Sequence, residues 1–345
     1  MYLFDQKLQS IISKSNVIPY LILFVPYYLM IKEIWIVGKD IRQVCALTNH
    51  PARLQALGCL KLDEKQMETA MTMYRNLCPN GERECDIVNP FISFPTTFNI
   101  VPGHSINTCD ISDNLSSLLK AIMCFLSRPE YFSLKHVSLL GDDSDLESCK
   151  YDTELTRMVP NAEEWLNIAL IRDPLERTVS TFLKHCRDAF TGSSENIAGR
   201  CHGCDDDLEC FLKRQHLSDL LWVKKQGMPG ILNKLLTPQN WQCEFRYFYD
   251  LFYLLRYDPR TPKPTILKLR DMWQENGVPK KYLNRVLSEI FPSRNHEFVD
   301  YDHYEFAEYR RLILNTTTLY ENFMKQYFYD FILFRFPPPK QIPVY

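Results

Sequence analysis

Arg172 and Ser180 are the residues whose types and spacing promise chemistry. Arg172 closes an apolar run, Leu166-Asn167-Ile168-Ala169-Leu170-Ile171, of the length and composition of a buried strand. Asp173 and Pro174 follow. Proline fixes φ and lacks an N–H, so it suits the first turn of a helix, with Asp173 as N-cap. Leu175, Val179, Phe182 and Leu183 then keep helical spacing against polar Arg177, Lys184 and Arg187. The pattern predicts strand, tight turn, helix. In open α/β sheets such turns lie at the carboxyl ends of strands, where ligands bind. A guanidinium there can fork two donors onto a phosphate, and the Ser180 hydroxyl, two helical turns along, adds a third. An Arg172–Asp173 structural pair is the plainer alternative, and Arg177 either points to the same site or pairs with Asp173.

A second unit of the same kind precedes it. Ser105 to Ile111 is a short strand candidate, Ser112 to Ser117 a polar loop, and Leu118 to Ser127 a helix. Backbone N–H groups and the helix dipole converge at such a helix start and can cradle an anion. Asp110 and Asp113 put acids into this stretch. A like-charge contact at ~4 Å costs ~4 kcal/mol even at an effective dielectric of ~20. Lys120, inside the helix, is the nearest cation.

Arg-Asp-Pro-x-x-Arg-x-x-Ser after a hydrophobic strand resembles the 3′-phosphate motif of sulfotransferases that use 3′-phosphoadenosine 5′-phosphosulfate (PAPS). The text from about Phe91 to Phe336 is similar to membrane-bound carbohydrate sulfotransferases of the chondroitin 4-sulfotransferase type. The likeness is strongest over 165–186 and fair over 201–211 and 237–257. It implies that Arg172 and Ser180 hold the 3′-phosphate. It also implies that Ser116 and Ser117, with Asn114 beside them, lie at the 5′-phosphosulfate. Asp113 stands where that family carries a lysine. The implied fold is α/β, a mostly parallel central sheet flanked by helices, P-loop-like. The implied reaction moves a sulfuryl group from PAPS to a hydroxyl of a glycosaminoglycan or other carbohydrate, without metal. A catalytically silent binding protein is the alternative, because of Asp113. No residue is assigned as the catalytic base; His104 and His296 are candidates, each more simply a surface or satisfied histidine.

Composition bounds the rest. A net charge of -2 in 345 residues argues against a nucleic-acid surface. A hydrophobic fraction of 46% is ample for a core, which excludes wholesale disorder. Twelve cysteines, an even count, suggest several disulfides in an oxidising compartment. Cys78 and Cys85 flank a Pro-Asn-Gly turn that a disulfide can close. Cys186, Cys201, Cys204 and Cys210 are read as two disulfides in preference to a zinc site, with the connectivity left open.

Five segments are expected: a tail over 1–16, a transmembrane anchor over 17–37, a stem with an accessory helix over 38–95, the sulfotransferase-like domain over 96–336, and a tail over 337–345. The anchor reading rests on the uncharged run Val17 to Ile31, continued past Lys32 and Glu33. A buried helix or a cleaved signal is the alternative. The resemblance implies a single-pass type II Golgi membrane protein with a lumenal domain. In a lumen, Asn114 and Asn315 are glycosylation sequons. The acids of 140–150 are read as a solvated linker. Glu305 to Phe331 is read as one long helix, with Leu312, Leu319, Phe323, Tyr327 and Phe331 on the core.

Overall fold

The strand Leu166–Arg172, inside the sheet, is buried along both faces. Ala169 and Ile171 belong to one apolar cluster, and Ile168 and Leu170 to another. A strand buried on both faces is apolar along most of its length, which is why its sequence reads as a run rather than an alternation. The computed structural model describes residue 45 and residues 48–141, 153–187, 201–224, 235–291 and 302–341.

Five strands form one sheet: β1 Thr97–Val101, β2 Ile106–Asp110, β3 Glu154–Leu155, β4 Leu166–Arg172 and β5 Phe252–Tyr257, in the order β3-β1-β2-β4-β5. β2, β4 and β5 run parallel. β1 turns back on β2 through Pro102–His104 and pairs antiparallel, as does β3 on β1. The sheet is therefore mixed rather than mostly parallel. A four-residue connection can join only antiparallel neighbours; a parallel crossover needs a dozen residues or more.

The helices used below are α1 Glu64–Leu77, α2 Ser116–Ser127, α3 Pro174–Phe182, α4 Leu208–Val223, α5 Lys263–Glu275, α6 Lys280–Ile290, α7 His303–Asn315 and α8 Thr317–Leu333. α2, α5 and α6 cover one face of the sheet. α1, α3, α4, α7 and α8 cover the other. Residues 51–88, expected as stem and accessory helix, contribute Leu54, Ala70, Tyr74 and Ile87 to that second core. Gln66 Nε2 donates to the Ile332 carbonyl at 3.0 Å, and Tyr329 Oη to the Asn49 carbonyl at 2.6 Å.

The expected long helix over 305–331 is broken at Thr316, in extended backbone, and kinked again at Tyr327. The break resets the helical phase. Leu319, Phe323, Tyr327 and Phe331 are buried as expected, whereas Leu312 is exposed.

The cysteines pair as Cys45–Cys59, Cys78–Cys85, Cys109–Cys243, Cys186–Cys201 and Cys204–Cys210. Cys124 is also disulfide-bonded. The short loop between Cys78 and Cys85 is closed, and the four cysteines around the long connection form two bridges. No helix among the described residues is long and apolar enough to cross a membrane. The expected anchor over 17–37, the acidic linker from 142 onward and His296 lie outside the described residues.

Candidate functional site

β2 and β4 both end at the same edge of the sheet, and the chain turns directly from each into a helix. Arg172 is the last residue of β4. β2 pairs with β4 only as far as Cys109 opposite Ala169. Beyond that level the Arg172 backbone is completed by a side chain. Gln239 Oε1 accepts from the Arg172 N–H at 3.0 Å, and Gln239 Nε2 donates to its carbonyl at 2.8 Å. The Gln239 carboxamide thus continues the sheet by one rung, which fixes the direction in which Arg172 leaves the strand.

The Arg172 side chain crosses to the neighbouring loop. Its Nη1 donates to the Asp113 carbonyl at 3.0 Å. Its Nε is buried, makes no hydrogen bond, and lies 3.8 Å from Glu176 Oε2. Asp173 does not pair with Arg172; it spends its carboxylate capping α3 through the Glu176 N–H at 3.0 Å.

The loop between β2 and α2 is held from three sides. Arg177, fully buried on α3, donates Nε to the Ser112 carbonyl at 3.3 Å and Nη1 to the Thr237 carbonyl at 3.0 Å. Its Nη2 donates to the Leu235 carbonyl. Arg177 is therefore a strut between two loops and pairs with no acid directly. Burial pushes its pKa down, while Tyr327, Asp330 and Asp113 oppose the fall. Asn114, also buried, donates Nδ2 to the Leu170 carbonyl and to Gln239 Oε1, each at 2.7 Å. Its amide is committed inside the fold, so a glycan on it is incompatible with this conformation.

Asp113 and Leu115 both adopt left-handed backbone, φ 62° and 65°. For a leucine this costs ~1–2 kcal/mol. It brings the chain into α2 with no side-chain cap, whereas α1, α3, α4 and α7 are each capped by an aspartate. The first N–H groups of α2 therefore have neither an intrahelical nor a side-chain acceptor. Ser116 is half-buried and Ser117 exposed at this turn. Such an end receives an anion without rearrangement.

The Asp113 carboxylate faces back toward α3. Oδ2 accepts from the Thr181 hydroxyl at 2.8 Å, and His185 Nε2 lies 3.4 Å from the same oxygen. Burial alone pushes the Asp113 carboxyl up; His185, the Thr181 hydroxyl and the Lys184 charge outweigh it and hold it well below the usual range. The carboxylate at position 113 is thus held by α3 and by the turn that follows it. Lys120 does not supply a cation here, since it pairs with Glu154 at 2.6 Å. Ser180, buried, donates its hydroxyl to the Arg177 carbonyl at 3.1 Å. His104 sits at the opposite edge of the sheet, before the start of β2, where its carbonyl accepts from Asn276.

Past the ends of β4 and β5 lies a cavity of about 1150 Å³, lined in part by Asp173, Glu176, Arg256, Arg260, His303 and Arg310. Gln239 and Arg260 carry this arrangement and were not singled out from the sequence. For Gln239 the available signal was the Thr237-to-Cys243 loop. Its anchor is Asp330 on α8, which accepts from the Gln239 and Asn240 N–H groups at 2.8 and 2.9 Å.

A sheet of this kind, with an arginine at the end of one parallel strand touching the loop that follows the next, is that of an α/β protein with a candidate anion site at its strand ends. Residues 96–337 match the model of the sulfotransferase family, and the chain belongs to that family. It is 26% identical over 268 residues to the carbohydrate sulfotransferase chst-1 of Caenorhabditis elegans, covering 72% of this chain and 78% of the relative. It is also 24% identical over 282 residues to the C. elegans protein C18B2.2, covering 77% and 75% of the two chains. No solved structure matches the chain.

Proposed function

We propose that this chain transfers a sulfuryl group from PAPS to a hydroxyl of a glycosaminoglycan sugar, in the manner of a chondroitin 4-O-sulfotransferase. The observation that carries the reading is the Arg172 Nη1 to Asp113 carbonyl bond. It joins the strand-end guanidinium to the loop that opens α2, so one nucleotide can span both. Membership of the sulfotransferase family and the carbohydrate sulfotransferase relative support the donor and the acceptor class. Five disulfides among the described residues, with Cys124 oxidised as well, are the usual mark of a secretory-pathway protein. That favours a single-pass type II Golgi protein with this domain in the lumen.

The residues present fit a phosphorylated nucleotide in two respects. Arg172 has a buried N–H without an acceptor, and the start of α2 is uncapped. Bound there, PAPS would supply the sulfuryl group: its bond to the 5′-phosphate would break as the acceptor oxygen bonds to sulfur and gives up its proton to solvent, leaving adenosine 3′,5′-bisphosphate. Arg172 and Ser180 hold the 3′-phosphate, Ser180 by turning its hydroxyl away from the Arg177 carbonyl. Ser116, Ser117 and the first N–H groups of α2 orient the 5′ end and disperse charge on the departing phosphate. Asn114 and Gln239 keep that loop and Arg172 in register.

Asp113 favours a second reading, a sulfotransferase-fold protein that binds the nucleotide without turnover. Calorimetry with adenosine 3′,5′-bisphosphate and radiolabelled sulfate transfer to chondroitin separate the two. Arg172→Ala is expected to weaken nucleotide binding about tenfold or more. Unchanged affinity removes the basis for the site, and binding without transfer selects the silent reading.

A further inference from the structure

Glu176 stands one turn into α3, at i+4 from Arg172, and is buried although it carries a carboxylate. Its two oxygens face arginines from different elements. Oε2 lies 3.8 Å from Arg172 Nε, and Oε1 lies 3.3 Å from Arg260 Nε in the connection between β5 and α5. The first contact is too long for a hydrogen bond, which leaves the Arg172 Nε–H buried and unmatched. Glu176, Arg260 and Asp173 also line the cavity beyond the strand ends. The same carboxylate therefore touches both the strand-end guanidinium and the open space beside it.

Burial raises the Glu176 carboxyl; Arg172 and Arg260 pull it back only in part, while Asp258 and Asp173 push it further up. Glu176 is an ill-matched partner for two guanidiniums. A phosphate monoester offers paired oxygens to guanidinium donors as a carboxylate does, with more charge and more acceptor sites. Asp258 holds Arg260 over the cavity rim through Oδ1 at 3.1 Å.

We propose that Glu176 occupies, in the unliganded chain, the place of a phosphate monoester between Arg172 and Arg260. Arg260 is then a second guanidinium of the 3′-phosphate site. Together Glu176 and Arg260 set the preference for an adenosine nucleotide carrying a 3′-phosphate over one without it. This rests on the nucleotide reading above, to which it adds a specificity-determining pair.

The test is titration calorimetry of wild type, Glu176→Gln and Arg260→Ala with adenosine 3′,5′-bisphosphate and, separately, adenosine 5′-monophosphate. Glutamine keeps the size of Glu176, and the Arg260 side chain is 56% exposed, so neither change opens the core; unchanged melting temperatures check this. Arg260→Ala is expected to cut the preference for the bisphosphate about tenfold, the loss of one charge-assisted contact. Glu176→Gln is expected to raise bisphosphate affinity about fivefold by removing a like charge. The monophosphate affinity stays level in both. A wild-type preference retained by both variants overturns the proposal. If wild type binds neither nucleotide, the nucleotide reading has failed, and inorganic phosphate decides on the arginine pair. Thermal protection by phosphate that disappears in Arg260→Ala supports a phosphate site between the arginines; no protection, or protection unaltered in Arg260→Ala, overturns it.

Discussion

Replacing Arg177 by methionine tests whether the candidate site is built from the inside of α3. The guanidinium is fully buried and its donors end on the carbonyls of Ser112, Thr237 and Leu235. Methionine keeps much of the stem volume but gives these three acceptors nothing. A buried polar group left unpaired costs ~1–3 kcal/mol, and partial relaxation toward water keeps such losses near the low end. The sum expected is about 3–5 kcal/mol, roughly a fifth or more of the whole stability of a typical domain. Loss of the cation also removes one of the groups that favour the buried Asp330 charge, leaving it to the hydrogen bonds from Asn240 and Gln239. Urea unfolding with the disulfides intact measures the change as a lower midpoint at constant slope. Arg177→Lys is expected to recover only part, because one ammonium cannot reach three divergent carbonyls. A loss below about 1 kcal/mol for the methionine variant would mean that water already serves these carbonyls, and the strut would be refuted.

Three further outcomes follow from the same geometry. Asp113→Lys restores a cation to the α2 loop and is expected to raise sulfate transfer about a hundredfold or more over wild type, read by radiolabel; equal rates would show that position 113 does not face the reacting groups. Asp86, held down chiefly by His216 with Lys325 adding to it against burial, and Asp113, held down by His185 against burial, both have lowered folded pKa values. The folded chain binds those protons less readily than the unfolded chain, so their stabilisation is complete above the ordinary carboxylate value of ~4 and is lost as pH falls through the folded values. Unfolding midpoints measured from pH 6 down to about pH 2 should fall less for Asp113→Asn than for wild type. Lastly, Cys109–Cys243 joins β2 to the loop before β5 across 134 residues. Converting both cysteines to alanine is expected to cost about 3–5 kcal/mol on the chain-entropy account. A melting temperature within a degree or so of wild type would contradict that.

Local pattern carried the strand–turn–helix units a long way. The apolar run from Leu166, Pro174 at a helix start and the uncharged start of α2 are decided by backbone sterics and side-chain burial within a few residues. Those forces act the same way wherever the segment lies, so β4, α3 and α2 were legible before folding. β1 was not singled out, and with it went the antiparallel half of the sheet, because pairing partners lie far apart in sequence. The phase break at Thr316, which exposes Leu312, escaped the helical spacing for a similar reason: an extended residue between two good helices leaves no compositional gap.

What the residue order determined by itself was the presence of two strand-to-helix turns and the chemical types on them. Only the tertiary structure decided that they touch. That contact depends on Gln239, Asp330 and Arg177, whose side chains come from distant segments and saturate backbone groups that no neighbour in sequence can reach. It also decided the surroundings of the charges. Asp113 is turned back onto Thr181 and His185, and Glu176 is set between two arginines. The energy of a buried charge depends on what the fold packs around it, and a linear pattern carries no such distance.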